Sequence, residues 1–455
     1  MTAAQPASEA RAALKTALGD ALDRAADDLI RFGDDIFAHP EVGFREERTA
    51  TLAGEWLRAL GLHPEEGLAL TGVKARLKGS RPGPTICVMG ELDGLPVPDH
   101  PAADPATGVA HACGHNAQLT HLIGVARALV ETDAAAHLAG EVVFLAVPAE
   151  EYVDLEWRAE QARAGRLEFL GGKPEMLRLG VFDDVDLAMM VHAVGRPEAG
   201  PFSISWLYNG LVAKRVCFIG RSAHAGAAPH AGVNALNAAT LAMQAIAMQR
   251  ETFRDEDHVR VHPILTRGGN AINVVPADVR LETFVRGATY GAIADADAKV
   301  DRALHAGAMA VGATVDIETL PGYLPLNVEP QLGAIFRQNA VALVGEAAWR
   351  ETPSIGASTD AGDLAHVLPV VHPSHGGYTG NNHSPEWSLV DPHLAYVSPA
   401  KALAWTIVDL LGNDAAEAQR VLANFRPTFS RDEYLAHMRG LARHERTAYG
   451  ADRAQ

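Results

Sequence analysis

Three short apolar runs, each closed by ionisable residues, restrict the folds open to this chain. Thr85-Ile86-Cys87-Val88-Met89 leads to Glu91 and Asp93. Val142-Val143-Phe144-Leu145-Ala146-Val147 leads to Glu150 and Glu151, and Leu187-Ala188-Met189-Met190-Val191 leads to His192. A strand that is apolar on both faces must be covered on both faces, and the segments between these runs, about 116–132 and 172–181, read as helices. The pattern predicts an α/β domain with a mixed, largely parallel sheet flanked by helices. Ligands bind such sheets beyond the carboxyl ends of the strands, which is where the ionisable residues stand.

The rest of the chain divides around this pattern. Residues 8–37 read as an amphipathic helix, with Leu14, Leu18, Leu22, Leu29, Phe32 and Ile36 at helical spacing, stopped by His39-Pro40. A second helix is expected at roughly 45–60. From about 206 the order changes to strand 212–219, helix 234–250, strands 258–266 and 274–285, helix 291–312 and strand 314–319. That β-α-β-β-α-β order is the ferredoxin-like arrangement, expected as an α+β domain inserted into the first. The predicted organisation is a catalytic domain over 1–205 and 321–455, interrupted by the insert at 206–320. The tail, 415–450, reads as helical and charged.

Composition narrows the partners. The 455 residues are enough for more than one domain. Lysine and arginine number 39 against 56 aspartates and glutamates, a net charge of −17 with no basic stripe, so no nucleic-acid partner is expected. Three cysteines make no disulfide framework and suggest a reducing compartment. No secretory leader pattern opens the sequence, and no apolar run reads as long enough to span a bilayer. The expectation is a cytoplasmic protein acting on a small molecule, with no membrane partner.

The chemistry concentrates in His111-Ala112-Cys113-Gly114-His115 and Pro148-Ala149-Glu150-Glu151. A thiolate with imidazoles and a carboxylate suits zinc or a similar divalent ion. Candidate ligands are Cys113, His115, Glu151, His192 and His383, the last in the turn-rich Asn381-Asn382-His383-Ser384-Pro385. Each histidine taken alone reads as readily as a core or surface group, so the combination carries the reading. Beside ligand Glu151, Glu150 can take a proton from metal-activated water and pass it to a leaving amine. Asp93 is expected to accept a hydrogen bond from a ligating histidine and fix its tautomer, or else to act as a helix cap.

Further stretches carry a resemblance. They are His39-Pro40-Glu41-Val42-Gly43-Phe44, Gly90-Glu91-Leu92-Asp93-Gly94-Leu95-Pro96, Gly220-Arg221-Ser222-Ala223-His224, Pro229-His230-Ala231-Gly232, Asn273-Val274-Val275-Pro276 and Ser358-Thr359-Asp360-Ala361-Gly362-Asp363. Together with the two clusters, and in this order, the chain resembles the aminoacylase and carboxypeptidase-G superfamily of metallo-amidohydrolases. Within it the chain looks most like the p-aminobenzoyl-glutamate hydrolases and their dipeptidase relatives, and less like the indole-acetyl-amino-acid and hippurate hydrolases. The resemblance implies a zinc-peptidase-like catalytic domain with an inserted lid and dimerisation domain, and two divalent ions sharing Cys113. His115 and His192 would complete one ion, and Glu151 and His383 the other. The metal would be zinc or manganese, with cobalt or nickel also open. Glu150 matches the general acid/base. His224 matches a histidine that reaches the partner subunit's site to stabilise the oxyanion, so a homodimer or higher homo-oligomer is implied. Asn273 and Arg286 match positions holding a substrate carboxylate.

The chain departs from that pattern at Asn116, where relatives often carry aspartate, and at Gln118, where they carry histidine. Tyr152 to Leu170 reads as an insertion beginning beside Glu150, either shaping the substrate pocket or forming a surface helix. The expected activity is hydrolysis of a C–N bond, in an N-acyl or N-aroyl amino acid or a small dipeptide. Two rival readings stand beside it: hydrolytic deamination of an aromatic amine at the same site, and a non-catalytic, metal-stabilised binding subunit.

Overall fold

The computed structural model describes residues 4–450 and is mixed α/β, as the apolar runs predict. It divides into two compact units. One comprises the residues up to Trp206 with Asn327–Ser354 and Asp363–Ser430. The other comprises Leu207–Leu326, Ile355–Gly362 and the segment from Arg431 onward.

The first unit is built on a six-stranded sheet in the order Glu65–Leu68, Gly72–Lys78, Ala139–Val147, Arg81–Glu91, Leu187–Met189, Val370–Val371. The first two pairings are antiparallel and the remaining three parallel. The three apolar runs are the central strands, and Ile86, Val88, Val143, Phe144 and Leu187 are fully buried. Glu91 is in register with Val147, so both strands deliver their acidic termini to one edge of the sheet. Helix His115–Glu131 packs against strand Arg81–Glu91 and is buried almost throughout. The amphipathic N-terminal stretch forms two helices, Ala4–Arg24 and Ala26–Phe37, ending just before His39-Pro40. One helix, His393–Leu411, is long and apolar enough by length and composition to cross a bilayer, contrary to the sequence reading. Most of it is buried inside this unit, where an apolar surface on all sides is what a core helix needs.

In the second unit, strands Gly210–Ile219, Asp278–Gly287 and Thr314–Tyr323 form an antiparallel sheet with Arg260–Val261 and Ile264–Arg267 at one edge. Helices Ala235–Met248 and Tyr290–Val311 pack on it, completing the β-α-β-β-α-β order. Asn234 caps the first of these helices through Leu236 N and Asn237 N. The tail departs from the expected helix. After helices Ala416–Asn424 and Arg431–Leu441, Arg443–Ala448 is a strand antiparallel to Thr314–Tyr323 at the other edge of this sheet. Its charged side chains suit an exposed edge. Arg443 pairs with Asp297, and His444 Nε2 lies 2.7 Å from Asp316 Oδ1. The segment after Arg431 therefore belongs with the second unit, not with the first as the sequence reading placed it.

Candidate metal centre

The turn at Gly114 explains the spacing of Cys113 and His115. Gly114 is left-handed (φ 84°), and a Cβ there would stand 2.5 Å from Ala193 Cβ, so only glycine fits. The chain reverses at this point, leaving Cys113 just outside the buried helix and His115 as its first residue. The acidic pair sits on a second reversal. Ala149 also has positive φ (53°), which for a residue with a Cβ costs roughly 1–2 kcal/mol and must be held by its surroundings.

Three buried side chains hold that reversal. Glu46 Oε1 accepts from Ala149 N at 2.8 Å, and Asp93 Oδ2 accepts from Glu151 N at 2.9 Å. Arg158 donates to the carbonyls of Glu151 and Leu170, each at 2.5 Å. Arg158 lies on helix Leu155–Arg163, so the 152–170 insertion is fastened to the carboxylate turn, with Tyr152, Leu155, Phe169 and Leu170 buried beneath it. Gly43 completes the fit, because a Cβ there would meet Arg158 Nη2 at 2.5 Å.

The five predicted ligands come together. Cys113, His115 and His192 form one group whose donor atoms all lie within 4.8 Å of one another, and Cys113, Glu151 and His383 form a second. The Cys113 sulfur is 3.4 Å from His192 Nε2 and 3.2 Å from His383 Nε2. His115 Nδ1 donates to the Asp93 carbonyl at 2.8 Å and lies 3.2 Å from Asp93 Oδ1. His192 Nδ1 donates to the Ala193 carbonyl at 2.8 Å. Fixing the proton on Nδ1 leaves both Nε2 lone pairs facing the cluster, the arrangement that metal-binding histidines need. Asp93 therefore holds His115 and Glu151 at once, a stronger position than a helix cap.

The site's electrostatics call for a cation. His115 Nε2 and Glu151 Oε1 are buried and make no hydrogen bond, although Glu91 Oε2 is 3.1 Å from the first and His383 Nε2 is 3.0 Å from the second. A lone pair facing a carboxylate is repulsive unless a proton or a metal ion lies between them. Burial opposes charge on every group here, yet neighbouring charges prevail. The His192 and His383 rings hold the Cys113 thiol well below its ordinary range. The Glu91 carboxylate lifts His115 well above its own. The His383 ring brings Glu151 down to about 2. Thiolate, imidazole and carboxylate donors converging on unsatisfied atoms fit a divalent ion of the zinc type.

Glu150 is buried beside this cluster, its Oε2 3.9 Å from His115 Nε2, and groups with Glu91 and His115. The remaining predicted residues lie in the second unit. His224 is exposed, and its Nδ1 accepts from Gly226 N and Ala227 N at 3.2 and 3.0 Å, which leaves Nε2–H as the donor. Asn273 lies beside it, its carbonyl accepting from Ala225 N at 2.9 Å. Arg286 is not brought to that pair. It stands over Phe284 at the far end of strand Asp278–Gly287, a span of about 30 Å at roughly 3.3 Å per residue.

Residues 87–397 match the model of peptidase family M20/M25/M40. The chain belongs to that family. This M20 hydrolase is peptidase-like and metal-binding. It is 28% identical to a mouse Xaa-Arg dipeptidase, over 88% of this chain and 89% of the relative. It is 30% identical to an N-acyl-L-amino acid amidohydrolase of Geobacillus stearothermophilus, over 58% of this chain and 68% of the relative. Its fold is shared with a solved Bacillus subtilis protein described as a dinuclear metal-binding peptidase of the M20 family. The TM-score is 0.62 at 22% identity, covering 86% of this chain and 99% of that one.

Sequence reasoning gave Glu46, Glu91, Arg158 and Lys173 no role. Glu91 had a signal, since it closes a buried strand as Glu150 does. Glu46 also supplies a pH test. Its wholly buried carboxyl is raised from an ordinary 4.5 to about 7 by burial and by the nearby Asp93. A raised carboxyl stabilises the fold fully below pH 4.5, and that contribution is lost as pH rises through about 7. At 1.36 kcal/mol per unit the loss is about 3 kcal/mol. In urea unfolding of chelator-treated protein, the stability of the wild type relative to Glu46→Gln should fall across pH 4.5 to 7 and level off above. A difference that does not change with pH would remove this assignment.

Proposed function

We propose that this M20 hydrolase cleaves the amide bond of an N-acyl or N-aroyl amino acid or a small dipeptide. The observation carrying the reading is the Cys113 sulfur placed between two ligand groups, with Glu150 buried at their side. Cys113, His115 and His192 would hold one divalent ion, and Cys113, Glu151 and His383 a second, zinc or manganese. Such ions supply Lewis acidity, acidifying water and polarising a carbonyl. Glu150 takes the proton from the attacking water and returns it to the departing nitrogen, so the proton count closes on one carboxylate. Asp93 keeps His115 in the Nδ1–H tautomer and fixes the backbone of Glu151. His224 offers Nε2–H to the oxyanion of a partner subunit's substrate in a homodimer. Asn273 beside it, and Arg286, are assigned to the substrate carboxylate. The substrate class is supported by the names of the similar dipeptidase and amidohydrolase, which act over the same family fold. A cytoplasmic enzyme with no nucleic-acid or membrane partner completes the reading.

The test is a panel of N-acyl and N-aroyl amino acids, dipeptides and aromatic amines, assayed on zinc- or manganese-loaded protein with a chelator control. Chelator-sensitive release of amino acid is expected. Ammonia without amino acid would transfer the site to deamination, and no turnover on any member would leave a binding protein.

A further inference from the structure

Glu91 is wholly buried, and every polar contact it makes prepares it to face a cation. Its strand ends in register with Val147, immediately before the Pro148–Glu151 turn. Lys173 Nζ, also fully buried, lies 2.5 Å from Oε1. Gln118 grips the residue twice: its Nε2 donates to Oε2 at 2.8 Å, and its Oε1 accepts from Glu91 N at 3.1 Å. The second lone pair of Oε2 then faces His115 Nε2 at 3.1 Å, across the unsatisfied gap described above. A buried lysine keeps the carboxylate ionised and an amide fixes its rotamer, which is how the outer partners of ligating carboxylates work.

We propose that Glu91 is a further ligand of the ion held by Cys113, His115 and His192, binding through Oε2. This rests on the metal reading of the site. It makes the two ions unequal. The first would have four protein donors (thiolate, two imidazoles and a carboxylate), the closed set of a structural zinc site. The second, with Cys113, Glu151 and His383, keeps a position open beside Glu150. Chemistry on water belongs to the second ion, while the first fixes Cys113 and His115. Gln118, which stands where relatives carry histidine, is the residue that makes Glu91 available.

The test is metal binding by the full chain, stripped with chelator and titrated with zinc and then cobalt. Wild type is expected to bind two ions. Glu91→Gln is expected to keep one at wild-type affinity and to bind the other about 10- to 100-fold more weakly. With cobalt, the thiolate charge-transfer band persists because Cys113 remains, while the intense d–d absorption of the four-coordinate ion declines. Two ions at unchanged affinity with an unchanged cobalt spectrum would overturn the proposal alone. A wild type that binds no divalent ion would overturn the metal reading with it. Lys173→Met gives a second measurement should Glu91→Gln not fold. It leaves the carboxylate in place without its cation, so zinc should raise its melting temperature by more than it raises that of wild type. An equal rise in the two proteins counts against Glu91 as a ligand.

Discussion

Cys113→Ala protein is expected to lose both divalent ions, and its turnover with them. Its sulfur belongs to both ligand groups, so a single substitution removes one donor from each. The loss should exceed that for an outer hydrogen-bond partner, which is about 10- to 100-fold in affinity. Cys113→Ser should behave almost as badly, because its hydroxyl stays protonated where the buried thiol is held as a thiolate by His192 and His383. The other two cysteines provide the contrast. Cys87 lies inside the central strand, fully buried, and its thiol is pushed up to about 12, chiefly by burial. Cys87→Ala should retain full metal content and cost only packing. Metal per chain, measured after dialysis on protein with native circular dichroism, decides the matter. A Cys113→Ala protein that kept two ions would show that the sulfur is a bystander.

The contrast between these cysteines shows what the sequence made legible. Cys113 could be distinguished from Cys87 without coordinates, because one follows a strand at a glycine turn and the other sits within an apolar run. The acids at strand ends were legible for the same reason: burial on both faces of a strand is a local pattern, and its end points at a site. Lys173 and Arg158 were not legible. A lysine opening a helix and an arginine within a charged insertion read as solvated, and only partners far along the chain, Glu91 and the carbonyls of Glu151 and Leu170, explain their complete burial. The same limit hid the final strand. Arg443-His444-Glu445-Arg446-Thr447-Ala448 has no apolar face, and its extended form depends on the free edge of Thr314–Tyr323 rather than on its own periodicity. The insertion fell between these cases. Its aromatic residues were visible, but its fastening through Arg158 to the Glu150–Glu151 turn was not.

Glu150→Gln is expected to reduce kcat by about 10²- to 10⁴-fold, which at 1.36 kcal/mol per decade is about 2.7–5.4 kcal/mol of barrier. Metal content should not change. Glu151, not Glu150, completes the Cys113 and His383 group, and Glu150 Oε2 is 3.9 Å from His115 Nε2. Glutamine keeps the shape but can neither take the proton from water nor deliver it to nitrogen. The two transfers can be separated by the leaving group. An anilide with an electron-withdrawing ring departs with little need of protonation, so its loss in Glu150→Gln should be smaller than that of an alkyl amide with the same acyl group. If the loss is equal for both, proton removal from water is the whole contribution of this residue. If metal is lost as well, Glu150 is a ligand and the roles of the two adjacent carboxylates must be exchanged. Wild-type kcat in the variant would remove Glu150 from the chemistry altogether.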